Sequence, residues 1–176
     1  MPDKGWRLWL KNQLEKNGFD VESPAMPNPD HPKMEEWVSH LSETVGTVDK
    51  DCYFIGHSLG CITILRYIES LKPGQHIGGA VLVAGFTNEI AEDKRVGELK
   101  PFYSKPIQWE KIKGHCKKFV VIHSDNDMWI PLKHGYIFKE KLNAELVIEH
   151  ARGHFRNEDG ILELPSALEA VLRMSR

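Results

Sequence analysis

The sequence predicts an α/β protein with a mostly parallel sheet between helices, and two features of its 176 residues indicate this class. Short apolar runs alternate with stretches whose apolar residues recur at the i, i+3, i+4 spacing of an amphipathic helix. Except at 19–22, where apolar and acidic residues alternate, the runs are apolar, which is typical of strands covered on both faces. The length suits one domain, which we place over residues 1–176.

The predicted elements alternate along most of the chain. Trp6, Leu10 and Leu14 share one face of a first helix, which Asn17-Gly18 ends before a short strand. A proline-rich loop and a second helix over 34–45 follow. The predicted strands are 19–22, 52–55, 80–84, 119–122 and 146–148, and the later helices lie near 61–68, 133–142 and 165–174. We expect the polar stretch 87–112 to be irregular and to border a site.

Charge and composition limit the classes of partner. The formal net charge is −2, with acidic and basic residues interspersed, so we expect no binding to nucleic acid or to a membrane. No apolar run approaches the roughly 20 residues of a membrane span or forms a signal peptide, which favours a cytoplasmic protein. Cys52, Cys61 and Cys116 fit neither a disulfide framework nor a zinc site. We expect reduced thiols and no metal or cofactor.

The segment Gly56-His57-Ser58-Leu59-Gly60 has the pattern of a nucleophile elbow. It directly follows an apolar strand and directly precedes a helical pattern, which is the setting that this turn requires. Side chains at Gly56 or Gly60 are expected to collide with neighbouring backbone. Ser58 is therefore the candidate nucleophile, and the backbone N–H of Leu59 is a candidate oxyanion donor.

A nucleophilic serine needs a histidine base and a carboxylate that orients it, in the chain order Ser, acid, His. His154 lies after the last predicted strand and before the final helix, where the base is expected. Two aspartates follow the preceding strand. The spacing Asp-x-x-Ile-Pro favours Asp127, whereas Asp125 suits a structural role in the turn.

The other histidines are weaker candidates for the base. His57 is adjacent to Ser58 and is expected to point away from its hydroxyl. We expect His123, His134 and His150 to be polar surface or loop residues. His31, His40, His76 and His115 have no motif around them.

In the pattern of these residues, the chain resembles the small serine hydrolases of the α/β-hydrolase superfamily typified by retinoblastoma-binding protein 9 and its bacterial relatives. Besides the elbow, the resemblance rests on segments 25–29, 106–112, 127–131 and 153–155. It implies a hydrolase without a cap domain that acts on carboxylic esters or similar small acyl compounds through Ser58, Asp127 and His154. It also suggests Trp109 as a residue of the acyl pocket, although core packing explains this tryptophan equally well.

Two features depart from the family pattern. The pocket-protein motif Leu-x-Cys-x-Glu is absent, because the comparable run from Leu59 ends in Thr63. Retinoblastoma binding is therefore not expected. Family members also begin with an apolar strand and a glycine-rich loop that supplies a second oxyanion donor, and the first helix here starts almost at Met1. Losing one such donor typically costs about 3 to 4 kcal/mol of transition-state stabilisation.

These departures leave two hypotheses. The first is an active serine hydrolase with the triad Ser58, Asp127 and His154. The second is a catalytically impaired form or pseudoenzyme that serves as a scaffold for protein interaction. The triad pattern does not identify the leaving group, so thioesters, amides and lipids are alternative substrate classes. A nucleotide-binding α/β protein is disfavoured because no glycine-rich phosphate loop follows any strand.

Overall fold

The computed structural model describes residues 4–88 and 96–176. Within these ranges the chain forms seven α-helices, four strands and one turn of 3-10 helix over Asn157–Asp159. The strands are β1 (Tyr53–His57), β2 (Gly79–Val83), β3 (Phe119–Ser124) and β4 (Glu145–Glu149). The helices are α1 (Trp6–Lys16), α2 (Met34–Val45), α3 (Leu59–Ser70), α4 (Val96–Tyr103), α5 (Trp109–His115), α6 (Lys133–Leu142) and α7 (Pro165–Met174).

The four strands form one parallel sheet in the order β1-β2-β3-β4, so the order in space follows the order in the chain. Ile55 is opposite Val81, and Val81 is in turn opposite Val120. Because all strands run the same way, their carboxyl ends lie along a single edge. The segments that follow the strands therefore meet there, which is where parallel α/β sheets bind ligands.

The two faces of the sheet are covered by different helices. On β2, Ala80 and Leu82 pack into a cluster with α2, α3, α5 and α6, whereas Val81 and Val83 pack into a cluster with α1 and α7. Helices α3, α5 and α6, which lie in the three connections between successive strands, are all on the first face, as right-handed crossovers between sequential strands require. The predicted α/β class is confirmed, and β2 is apolar and fully buried because helices cover it on both sides.

The predicted strand at Phe19–Glu22 is wrong, because this segment forms no strand. Its side chains nevertheless reach the core. Phe19 meets Tyr53 edge to face with 6.1 Å between ring centroids, and Val21 packs against the cluster under α1 and α7. Apolar burial of these side chains explains the alternating pattern without any pairing of the backbone.

The stretch 87–112 is more regular than predicted, because it contains α4 and the beginning of α5; residues 89–95 lie outside the described residues. Arg66 and Glu69, a buried ion pair on α3, hold the connection between these helices. The Arg66 guanidinium donates to the Phe102 carbonyl at 3.1 Å, and the Glu69 carboxylate accepts from the N–H of Gln108 at 2.7 Å. These long-range contacts are invisible in the local pattern.

No described helix is both long and apolar enough to cross a bilayer; the longest, α2 and α3, have 12 residues each.

Candidate active site

The turn between β1 and α3 holds Ser58 in an unusual backbone conformation. Its φ of 53° and ψ of −117° lie in a region that residues other than glycine seldom occupy. Such conformations cost on the order of 1 to 3 kcal/mol each and persist only where neighbours enforce them. Here the Ser58 N–H donates to the Val83 carbonyl at 2.9 Å, and the Ser58 carbonyl accepts from the Cys61 N–H at 3.0 Å.

The two glycines of the elbow have different roles. A Cβ at Gly56 would lie 2.9 Å from the Cys61 nitrogen and 2.9 Å from the carbonyl carbon of Gly60. Glycine is therefore required at position 56. A Cβ at Gly60 would meet no atom within 4 Å, so the expectation of a collision there is wrong. Gly60 already belongs to α3, and its Cβ direction is open.

Asp127 and His154 form a buried carboxylate–imidazole pair. The Nδ1 of His154 lies 2.7 Å from Oδ2 of Asp127, and the two side chains are 10% and 0% exposed. The other oxygen of Asp127 accepts from the N–H groups of Trp129 at 2.8 Å and Ile130 at 2.9 Å. An ionised carboxylate only accepts hydrogen bonds, so the Nδ1 of His154 donates, and in the neutral ring the Nε2 then has a lone pair.

Hydrogen bonds join the acid loop, which we define as residues 124–127, to the base loop, which we define as residues 150–155. Four consecutive side chains of the acid loop each accept a hydrogen bond from the base loop. Three of them bind backbone N–H groups: Ser124 Oγ accepts from Arg152 at 2.9 Å, Asp125 Oδ1 accepts from Ala151 at 2.9 Å, and Asn126 Oδ1 accepts from Gly153 at 2.8 Å. The fourth, Asp127, accepts from the ring of His154. Sequence reasoning missed Ser124 and Asn126. The signal was a run of four side-chain acceptors, Ser-Asp-Asn-Asp, at the carboxyl end of a strand.

These hydrogen bonds hold the base loop in a conformation that the chain alone would not favour. Ala151, Gly153 and Phe155 have φ values of 55°, 55° and 54°. Asp159 adds a further anchor, because its Oδ2 accepts from the N–H of His154 at 2.9 Å. The base loop follows β4, whereas Ser58 follows β1 at the other end of the sheet. Three strand spacings of about 4.8 Å separate β4 from β1, or roughly 14 Å.

His57, the last residue of β1, contacts His154 and so places it beside the turn that holds Ser58. The Nε2 of His57 lies 2.8 Å from the His154 carbonyl oxygen, and the two ring centroids are 4.9 Å apart. Within residues 4–88 and 96–176, no hydrogen bond joins the hydroxyl of Ser58 to the ring of His154. Leu59 is the first residue of α3, so its N–H is one of the four that have no acceptor within the helix.

Two other histidines near the site are buried, contrary to expectation. His123 and His134 are 0% and 1% exposed, and burial lowers the pKa of each to about 4. The Nδ1 of His134 accepts from the N–H of Thr87 at 3.3 Å. Neither ring nitrogen of His123 has a partner in the part of the chain that the structure describes. His150 is exposed as expected and pairs with Asp125 at 2.6 Å.

Trp109 is not brought to this site. Its ring packs against Phe138 with 6.2 Å between centroids. The open groove that it lines lies between α5 and α6, with Glu140 and Lys141 on the far side, and none of Ser58, Asp127 and His154 lines it. This position matches the alternative of core packing.

The described residues contain no cluster of three or more metal-ligating side chains. The three cysteines are free thiols, of which Cys61 and Cys116 are buried and Cys52 is partly buried. Burial raises the pKa of the Cys116 thiol to about 11 and also raises that of Cys61. Such thiols are poor nucleophiles near neutral pH, because the thiolate is the reactive form.

A parallel sheet flanked by helices, with an elbow at the end of one strand, defines an α/β-hydrolase-like protein. Comparison with known proteins gives the same class. The model of the serine hydrolase family matches residues 1–173. The YdeN protein of Bacillus subtilis strain 168 is 32% identical over 166 residues, covering 94% of this chain and 86% of YdeN.

A second relative and a solved structure agree. The serine hydrolase RBBP9 of Rattus norvegicus is 30% identical over 156 residues, which cover 88% of this chain and 80% of RBBP9. The crystal structure of the B. subtilis ydeN gene product superposes with a TM-score of 0.90 at 30% identity, covering 97% of this chain and 90% of that one. The chain therefore belongs to the serine hydrolase family, and it is an enzyme of the hydrolase type.

Proposed function

We propose that this hydrolase cleaves carboxylic esters or similar small acyl compounds through a triad of Ser58, His154 and Asp127. The observation that carries the proposal is the buried pair of Asp127 and His154 at 2.7 Å, beside a turn that holds Ser58 at a φ of 53°. A buried carboxylate bound to Nδ1 is the arrangement that leaves a histidine ready to accept a proton at Nε2.

In the proposed reaction, His154 removes the proton from the Ser58 hydroxyl while the oxygen attacks the acyl carbon. The backbone N–H of Leu59 stabilises the oxyanion that develops on the carbonyl oxygen. The tetrahedral intermediate then expels the alcohol, which takes the proton from His154, and an acyl-serine remains. Water attacks this ester with His154 again as base, which releases the acid and restores Ser58.

The absence of a hydrogen bond between the Ser58 hydroxyl and the His154 ring within the described residues fits a resting enzyme. In unliganded hydrolases the bond between nucleophile and base is often long and tightens only when substrate binds. A rotation about the serine χ1 moves the hydroxyl without moving the backbone, which the bonds to Val83 and Cys61 fix. The acid and base, in contrast, are already joined.

The surroundings of Leu59 favour an apolar acyl group. Leu59 packs at the edge of a cluster of buried side chains that includes Phe86 after β2 and Ile130 after Asp127. This cluster therefore lies beside both the proposed oxyanion donor and the proposed acid. A charged acyl group would lose its hydration here without gaining a charged partner among the described residues of this cluster, which costs free energy.

Labelling with a fluorophosphonate probe tests the proposal. We expect the parent protein to be labelled and to hydrolyse p-nitrophenyl acetate, and we expect Ser58→Ala to abolish both. The matched control is Ser39→Ala, which removes an exposed serine of α2 that bonds Glu43. A folded parent that is neither labelled nor active, or a Ser58→Ala variant as active as the parent, would contradict the triad.

A further inference from the structure

Beside the proposed base lies a second histidine to which the proposed reaction assigns no role. The ring of His57 lies among Trp6 and Arg7 of α1 and His154 of the base loop. The Trp6 ring meets it edge to face at 5.9 Å, and an Arg7 Nη1 lies 3.4 Å from its Nδ1. Its Nε2 lies 2.8 Å from the His154 carbonyl oxygen.

Donor and acceptor chemistry fixes the tautomer of this ring. A guanidinium has only donors, so the Nδ1 of His57 must accept from Arg7. A carbonyl oxygen only accepts, so the Nε2 must carry the proton that it donates to His154. Both contacts are satisfied by one neutral tautomer. Burial lowers the pKa of His57 to about 3, which keeps the ring in this neutral form near pH 7.

The hydrogen bond from His57 binds a carbonyl group of the base loop, whereas most of the other anchors bind N–H groups. The acid loop and Asp159 bind N–H groups and the His154 ring, whereas two carbonyl groups of the base loop are bound by side chains of α1 and β1. The Trp6 indole N–H donates to the Phe155 carbonyl at 2.8 Å, and His57 donates to the carbonyl of His154 itself. Phe155 has a φ of 54°, so these two bonds secure a strained part of the loop.

We propose that His57 is a positioning residue of the active site, which holds the backbone of His154 through Nε2–H in the tautomer fixed by Arg7, and so links α1 to the base. The proposal rests on the proposed role of His154 as the base. Because His57 immediately precedes Ser58, a shift of its ring would change the placement of the base relative to the nucleophile. Misplacement of about 1 Å can lower turnover by up to about 100-fold.

Kinetics of three variants test this role. His57→Phe keeps a ring of similar shape but removes the donor, and we expect kcat for p-nitrophenyl acetate to fall about 10- to 100-fold with KM little changed. His57→Gln places an amide donor near the position of Nε2 and should recover most of the loss. Arg7→Met frees the tautomer and should lower kcat less. The control Leu8→Gln changes an exposed residue of α1, with 42% exposure, and should leave kcat unchanged.

An NMR experiment that does not depend on enzyme activity distinguishes failure of this proposal from failure of the proposed function. In long-range ¹⁵N–¹H correlation spectra of the parent at pH 7, we expect His57 to be protonated at Nε2 only, and we expect the His154 ring signals to shift in His57→Phe. An inactive parent with these spectra would overturn the ester hydrolase and keep the hydrogen bond. A His57 protonated at Nδ1, a His57→Phe variant with unchanged kcat, or a His57→Gln variant as impaired as His57→Phe would overturn the positioning role.

Discussion

The two halves of the candidate site are held in place by different means. In the acid–base half, hydrogen bonds from four consecutive side chains of the acid loop fix the base loop, and Asp127 is itself bound by Trp129 and Ile130. In the nucleophile half, no side-chain hydrogen bond within the described residues fixes the hydroxyl of Ser58. Its position follows from the backbone of the elbow and from the space that Gly56 leaves.

The difference indicates how each half tolerates change. A half that depends on hydrogen bonds is sensitive to the donor and acceptor pattern of its side chains, even when their shape is kept. A half that depends on steric fit is sensitive to volume, even when polarity is kept. Substitutions that alter only one of these properties can therefore disturb one half and spare the other.

The largest effect is expected from Asp127→Asn, which keeps shape but changes one acceptor into a donor. The carboxamide can still accept from Trp129 and Ile130, but its NH₂ group then faces the Nδ1 of His154. The ring is expected to adopt the wrong tautomer, which lowers kcat by about 10⁴-fold. Steady-state hydrolysis of p-nitrophenyl acetate measures the loss, and thermal melting checks that the fold is kept.

Asp125→Asn is the matched control, because Asp125 lies in the same loop and binds His150 and Ala151 instead of His154. Its carboxamide can still accept from Ala151, so we expect less than about a tenfold change in kcat. An equal loss in both variants would show that the loop, and not the pair of Asp127 and His154, sets the activity.

The next largest effect is the pH dependence of the free energy of unfolding, to which three buried histidines near the candidate site contribute. Burial lowers the pKa of His57 to about 3 and those of His123 and His134 to about 4, from an ordinary 6.5. Between pH 6.5 and about 4 the unfolded chain binds protons that the folded chain does not. The free energy of unfolding should therefore fall with falling pH, by up to roughly 1.4 kcal/mol per pH unit for each histidine.

Urea unfolding at pH 7, 6 and 5 measures this slope. His123→Leu should reduce the slope by about one proton, and it should cost little at pH 7 because it removes two buried ring nitrogens that have no partner among the described residues. Leu162→Gln changes instead a residue that carries no titratable group and is 63% exposed, and it should leave the slope as in the parent. A slope that responds equally to both variants would exclude burial as its cause.

A smaller effect is expected from Gly56→Ala, which changes volume in the nucleophile half. The new Cβ would lie 2.8 Å from Ile64 Cδ1 and 2.9 Å from two backbone atoms of α3. Moving the elbow to relieve this overlap should cost about 1 to 3 kcal/mol of unfolding free energy. Labelling of Ser58 should fall with it, while the Nδ1–H of His154 should keep its signal in NMR spectra.

The smallest effect, and one of opposite sign, is expected from Gly60→Ala. Its Cβ meets no atom within 4 Å, and alanine is favoured over glycine in a helix by about 0.5 to 1 kcal/mol. Urea unfolding should show a gain of this size. A loss as large as that of Gly56→Ala would mean that both glycines of the elbow are required for the same steric reason.

Much of the fold could be predicted because the strands of this sheet are local apolar runs. Each of the four observed strands overlaps a predicted one, and β3 even continues to Ser124. The failures have a common cause. The segment 19–22 has the alternation of a strand but packs only its side chains, and α4 and α5 are held by Arg66 and Glu69, which lie more than 30 residues earlier.

The sequence predicts those residues of the candidate site that a local motif marks. It does not predict residues that contribute through a network of hydrogen bonds between distant loops. The elbow marks Ser58, and the spacing before Ile130 and Pro131 distinguishes Asp127 from Asp125. The hydrogen bonds of Ser124 and Asn126 depend on a loop that crosses from β4 towards β1, which no local pattern shows. Burial of His123 likewise depends on α6, where Gly135 lets the helix approach the ring.

The position of β1 has a consequence for how the protein loses activity. In the described part of the chain, β1 pairs with β2 on one side and with no strand on the other. Amide hydrogens at such a margin exchange with solvent through small openings that leave the sheet centre closed. The strand that directly precedes Ser58 should therefore open at lower denaturant than β2 and β3, and inactivation should precede global melting.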